Sequence, residues 1–454
     1  MKPFIILFML HILFSTISAT TPDYDWFISA GGNSDDFVHS SDVDTNGNLY
    51  ISGSYKDNCR FGSHRLVNPD DFGMYLAKID RLGNWVWAIQ PEGDYTGEIK
   101  GVAIDAENNI YCIGYFSGRA VFGITAITND NDESLDSMFI AKIDTQGNWL
   151  WVKQFASHYS RFDTCLISVD KIGNVYLAGN LLSTQVFGVL TLVKENDAAE
   201  TYLAKIDAEG NWLWVVKNGE FDELSCMAVD NSSNVYLAGD YVNLETNLPD
   251  TALEMLLTGL SDMLVEKYDS QGNRIWTRKF GSTGIDTIFG IAVDPDNNAY
   301  ITGMTEGEVV FGDITLSTNG YKEVFVSKIN SDGNPLWATR PGGDHARWGK
   351  GIKVNKTGDV YVAGFFMNSA IIGTSTLESE GYQDGFIAKL DNNGAWLWGK
   401  SIGSSYNDWC TNISIFNETD IYVSGIFCGK NSIDNITVLG VVMPDIFVFK
   451  LSDN

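Results

Sequence analysis

A tyrosine closes or opens the same short apolar tract seven times along this chain, at positions 50, 111, 176, 236, 300, 361 and 422. The intervals between copies run from 60 to 65 residues. A second tract of the form FIAKID repeats its lysine at 78, 142, 205, 267, 328, 389 and 450. A third, GNWLW, ends in Trp87, Trp151, Trp214, Trp276, Trp337 and Trp398, one copy short of the other two. The missing copy lies at the opposite end, where Tyr24-x-Trp26 is followed by Gly31-Gly32. Recurrence at one long period restricts a chain to architectures that stack a single supersecondary unit. The displaced copy further predicts that the two ends of the chain complete one unit together.

Each unit reads as four strands, a to d, represented by the tracts IAVD, NVYLAG, YLAKID and NWLWVK. Between a and b, and again between c and d, stand Asp/Gly/Asn turns such as residues 44–48, 170–174 and 207–211, which are hairpin signals. Alternation with period two places Tyr202, Ala204 and Ile206 on one face, and Trp212 with Trp214 on one face of the next strand. Four-stranded antiparallel units of this size, buried against neighbours on both faces, predict an all-β, seven-bladed β-propeller. The N-terminal strand then closes the last blade. The expected blades are 33–94, 95–157, 158–219, 220–281, 282–341, 342–402, and 403–454 joined by 22–32. Length alone would suggest three domains. The ring instead absorbs residues 20–454 as one.

Residues 1–19 read as a secretory signal peptide: Met1-Lys2, an apolar run from Phe4 to Phe14, and small polar residues to Ala19. The run is too short to span a bilayer, so the expectation is a secreted or cell-surface protein with no transmembrane segment. The 58 acidic residues outnumber the 30 lysines and arginines, for a net charge of −28. Nucleic acid and anionic lipid are excluded as partners, because both begin with phosphate neutralisation.

The composite GNVYLAG…FG…L…AKID..GNWLW resembles the bacterial β-propeller repeat called the SBBP repeat. The Phe-Gly piece stands at Phe61-Gly62, Phe122-Gly123, Phe187-Gly188 and Phe311-Gly312, weakens to Ile372-Gly373, and is lost in the fourth and seventh units. The resemblance implies an exported bacterial propeller, and it brings no catalytic motif with it.

The recurring tryptophans and lysines occupy every unit, so they read as packing between blades rather than as a ligand platform. Residues 294–298 lack the spacing and the downstream glutamate of a calcium loop and read as a hairpin turn. Four histidines follow the signal, and no nucleophile elbow or phosphate loop is present. No catalytic residue, metal site or cofactor is therefore expected. Function should lie where the repeat varies, on the face formed by the d–a loops and the b–c stretches 56–72, 117–137 and 243–262. There Asp36, Asp222, Asp286 and Asp408 are expected to cap the backbone of the neighbouring blade. Phe37, Trp348 and Trp409 follow at the next position or its equivalent, and the sixth unit adds His345 and Arg347. These five residues are the candidate ligand contacts. The expected function is a monomeric, non-enzymatic binding, adhesion or scaffold module for a glycan or protein ligand. The alternative is a carbohydrate-active hydrolase or lyase with carboxylates converging near the channel.

Six cysteines are too few for a disulfide scaffold. Pairing Phe416 with Ile421 across the turn 417–420 nonetheless brings Cys410 and Cys428 within one residue of register. A one-residue bulge would oppose them, so a Cys410–Cys428 disulfide is expected.

Overall fold

The computed structural model describes residues 21–453 except 130–135, 160–163, 196–199, 219–220, 243–260, 283, 319–321, 343–345 and 434–435. The expected signal at 1–19 lies outside the described residues. Every regular element among them is a β-strand, and every pairing between named strands is antiparallel. The third repeat is the plainest: Cys165–Val169 (a), Val175–Asn180 (b), Thr201–Ile206 (c) and Trp212–Asn218 (d) pair in that order. The same a-b-c-d order recurs along the chain.

The a strands meet side by side. Asp36–Val43 touches Tyr95–Ile104, which touches Cys165–Val169, then Glu223–Val229, Thr287–Val293, Ala346–Val354 and Trp409–Phe416, which returns to Asp36–Val43. Sheets radiating from such a cycle form a β-propeller. The two ends of the chain share a sheet, as the displaced tract predicted: Trp26 pairs with Lys450, Phe27 with Phe449 and Ala30 with Ile446. The same strand then crosses to the first sheet, pairing Gly31 with Arg60 and Gly32 with Cys59. A Cβ at Gly31 would lie 1.9 Å from the Asp445 carboxylate, and one at Gly32 1.9 Å from the Asn58 carbonyl. Only glycine fits this crossing.

Within each repeat the conserved-looking letters form one latch. Asp44 accepts hydrogen bonds from the Asn46 and Asn48 amides at 2.9 Å and from the Tyr50 hydroxyl at 3.1 Å. The Lys78 ammonium lies 5.1 Å from the centre of the Tyr50 ring. It donates to the Thr145 carbonyl at 3.2 Å, in the c–d turn of the next repeat. Trp87 Nε1 donates to that same carbonyl at 3.2 Å. Trp151, Trp214, Trp276 and Trp337 reach the next c–d turn in the same way, onto Ala208, Ser270, Ser331 and Asn392. The first tryptophan of the pair has another task. The b–c hairpin folds over it, setting Phe61 5.1 Å from Trp85, Phe122 4.8 Å from Trp149 and Phe187 5.1 Å from Trp212. Residues 294–298 form the expected turn, with Asp294 accepting from the Asp296 and Asn298 amides.

One expectation is corrected. Phe416 opposes Asp420, not Ile421, because the last a–b turn contains three residues. The bulge at residue 411 then sets Gly425 opposite Cys410, while Cys428 faces Pro444. Cys410 and Cys428 are free thiols, separated by three positions of register.

Candidate functional site

The a strands carry a feature hidden by the simple alternation. Each has a β-bulge, apart from Cys165–Val169, and the extra residues are His39, Lys100, Ser225, Phe289, Lys350 and Thr411. A bulge bends its strand and re-aims a side chain. Six bulges at one level thus present a set of unlike side chains to the loop-face end of the ring.

The a strands enclose a cavity of about 330 Å³. Its walls include Ser40, Ser225, Lys350, Lys353, Thr411 and Asn412. Among the described residues lining it, Asp42 is the one carboxylate. Asp42 is already engaged: Oδ2 accepts from the Ile104 amide at 2.9 Å and Oδ1 from the Val43 amide at 2.9 Å. Burial holds its pKa above the usual value, opposed by the charge of Lys353. Lys350 Nζ lies 3.6 Å from the centre of the Phe289 ring and 5.2 Å from that of Trp348. Burial pushes its pKa down to about 8, against the pull of Glu223 and Asp240. On the other side of the ring, His39 Nε2 meets Glu98 at 2.8 Å, and Lys100 meets the same carboxylate at 3.2 Å. Burial would raise the Glu98 pKa, but the His39 hydrogen bond and the charge of Lys100 help to outweigh it and hold the pKa below the usual value, while burial lowers the pKa of His39 itself. A second opening, of about 480 Å³, lies at the a–b turns. Two of its groups pair directly, Lys356 with Glu418 at 2.8 Å, and Thr45 is held from outside it by Asn108 at 2.9 Å.

Trp348 and Trp409 come together through Phe365, 4.8 Å from the first ring and 5.9 Å from the second. Both are half-buried. Trp409 Nε1 donates to Gln383 at 2.7 Å, whereas Trp348 Nε1 has no acceptor. Phe37 packs instead on His39 at 6.3 Å and Phe72 at 6.4 Å. His345 and the Arg347 side chain lie outside the described residues. Three of the four loop aspartates cap backbone, but in their own repeat rather than the neighbour's; both oxygens of the fourth, Asp36, are buried without a hydrogen-bond partner among the described residues. Asp222 accepts from the Val242 amide at 2.6 Å, Asp286 from Glu306 at 3.1 Å, and Asp408 from Ser404 at 2.6 Å and Cys428 at 3.2 Å. The d–a loop folds back over the end of its own strand b, which places those amides within reach.

Sequence reasoning passed over Lys350, Lys353 and Phe289. A signal was available: the sixth repeat reads GKGIKVN where the fifth reads FGIAVD, putting two lysines into a strand that elsewhere has none or one. Among the described residues, no group of three or more His, Cys, Asp or Glu is placed to hold a metal ion. No helix there is long and apolar enough to cross a membrane.

Comparison with known proteins gives two curated relatives. An uncharacterized WD repeat-containing protein of Acanthamoeba polyphaga mimivirus is 23% identical over 452 residues, covering 88% of this chain and 30% of that protein. The regulatory protein FlaEY of Caulobacter vibrioides is 24% identical over 381 residues, covering 77% of this chain and 38% of the relative. The chain thus spans about a third of the length of the curated relatives it matches. Among solved structures, the β-propeller domain of the Trilobed protease from Pyrococcus furiosus is similar with a TM-score of 0.48 at 9% identity, covering 94% of this chain and 98% of that one. The SBBP beta-propeller repeat family matches directly at residues 275–308, which run from strand d of one sheet into strand b of the next. The chain is a β-propeller whose residues 275–308 match the SBBP beta-propeller repeat.

Proposed function

We propose that this chain is an exported, monomeric, seven-bladed propeller without catalytic activity, and that it binds a glycan or protein ligand at the loop-face mouth of its channel. The seven-blade count is supported by the seven recurrent tyrosines and by the closed cycle of a strands. The observation that carries the binding reading is the ring of bulged residues at the head of a 330 Å³ cavity. Structural packing alone would have kept one residue type at that level, as it did for the latch tryptophans. The hydrolase or lyase reading is disfavoured by the lining, since glycoside cleavage needs two carboxyl groups flanking the bond. Among the described residues that line this cavity the single carboxylate, Asp42, is committed to two backbone amides.

Trp348 and Trp409 are the aromatic anchors of this mouth. Trp348→Ala and Trp409→Ala, tested against arrays of glycans and proteins, should weaken capture about tenfold or more while the melting temperature stays within a few degrees. Lower stability with unaltered binding would reduce both residues to loop packing and remove the proposed site.

A further inference from the structure

Two lysines line the channel of a strongly acidic protein without a direct hydrogen bond or ion pair among the described residues. Most of the repeated lysines donate to a neighbouring turn or pair with aspartate, as Lys78 and Lys389 do. Lys350 and Lys353 make no hydrogen bond and no ion pair among the described residues, although both line the cavity. Lys350 lies against the aromatic faces of Phe289 and Trp348, and the carboxylates of Glu223 and Asp240 act on it without bonding it. Residues three apart on a regular strand face opposite sides, yet the bulge at Lys350 brings both onto the cavity wall.

The position of Lys353 is marked by register. It lies opposite Tyr361, and the residue opposite the equivalent tyrosine in other repeats is Ala103, Ser168, Ala228, Ala292 or Ser414. A small residue is what a narrow channel requires there. Asp42 is the other exception, and its oxygens are already bonded. The cavity is therefore left with an excess of positive charge. An unpaired ammonium in a confined site is costly, and an arriving oxyanion would form charge-assisted hydrogen bonds with it. The cavity wall also carries hydroxyl and amide groups, Ser40, Ser225, Thr411 and Asn412, of which Ser40 already accepts from the Val102 amide, Thr411 donates to the Ser424 carbonyl and Asn412 donates to Thr411. The volume lies at the lower end of small-molecule sites.

We propose that the channel cavity binds a small hydroxylated carboxylate of the sugar-acid class, its carboxylate held by Lys350 and Lys353. The inference rests on the reading of the loop-face mouth as a binding face and names the chemistry recognised within it.

Isothermal titration of the folded chain with D-glucuronate, D-glucose and inorganic phosphate at neutral pH tests the assignment. Glucuronate should bind, with glucose and phosphate each about tenfold weaker or worse. Lys353→Met should cost about tenfold in glucuronate affinity, and Lys353→Arg should restore most of it. Affinity should fall as pH rises through about 8, where Lys350 loses its proton. Lys350→Met should remove that pH dependence. A melting curve for each variant separates lost binding from lost folding. Glucose binding as tightly as glucuronate, with Lys353→Met inert, overturns the carboxylate assignment and leaves the binding face standing. Phosphate binding better than glucuronate overturns the sugar-acid class. If none of the three binds while Trp348→Ala still weakens an array ligand, the cavity is not the site. If nothing binds on titration or array, both readings fail.

Discussion

The recurring tryptophan shows how one residue type serves the ring, and one copy lacks its partner. Trp214 Nε1 donates to the Ser270 carbonyl at 3.2 Å, adding a hydrogen bond to the burial of the indole. Trp398 is fully buried, yet its Nε1 has no acceptor among the described residues. The c–d turn that receives the other tryptophans is replaced at this boundary by the junction of the first and last strands, where Pro22 takes a bond from Lys400 instead. Removing a hydrogen bond while its acceptor stays behind costs about 1 kcal/mol, more if that acceptor is left unsatisfied. Trp214→Phe should therefore destabilise the protein more than Trp398→Phe does, by about 1 kcal/mol in denaturant unfolding. Equal losses at the two sites would show that burial alone makes the latch. Period made the tryptophan and lysine latches legible in the sequence. Lys350 and Lys353 were not legible that way, because a residue unique to one repeat has no period.

Strands and hairpins were readable in order but not in register. The Asp/Gly/Asn turns lie where their chemistry put them, since Gly47, Gly173 and Gly210 all take left-handed backbone. The last a–b turn has no such glycine. Asn417 and Glu418 adopt positive φ of 49° and 66°, and this tighter turn shifts the whole hairpin by one residue. The bulges were equally hidden, because an inserted residue breaks the alternation that reveals a strand. The register makes a definite statement about the thiols. Unreduced peptide maps should contain no Cys410–Cys428 crosslink. Burial, with Asp408 and Asp445 nearby, raises the half-buried Cys428 thiol to about 11, so native alkylation there should be slow. Buried Cys410 should react only on unfolding. Recovery of the crosslinked peptide would show that the hairpin is registered differently.

At the scale of the whole molecule, closure depends on nine residues from one end of the chain. Tyr24–Gly32 completes the sheet ending in Ile436–Ser452 and then pairs with the first sheet, so it joins the two ends of the cycle. This part of the fold was legible because a tract missing from one end appeared at the other. The strand brings substantial apolar area with it. Phe27 stacks 5.7 Å from Phe447 and 6.0 Å from Phe449, and Tyr24 meets Phe449 edge-on at 5.1 Å. Trp26 Nε1 donates to the Arg81 carbonyl at 3.0 Å, the same latch as between other repeats. Burying Phe27 and the parts of Trp26 and Tyr24 that are covered is worth on the order of several kcal/mol, a large share of the stability of an ordinary domain. Its removal also bares the backbone edge of the strand that holds Phe447 and Phe449, and a free edge of that kind recruits other chains. Deletion of residues 20–32 should lower the melting temperature by several degrees or more and produce aggregates in size-exclusion chromatography. A synthetic peptide spanning residues 22–32, added in excess, should recover part of the melting temperature by re-forming the sheet. A truncated chain that stays monomeric with an unchanged melting curve would mean that the ends do not hold the ring together.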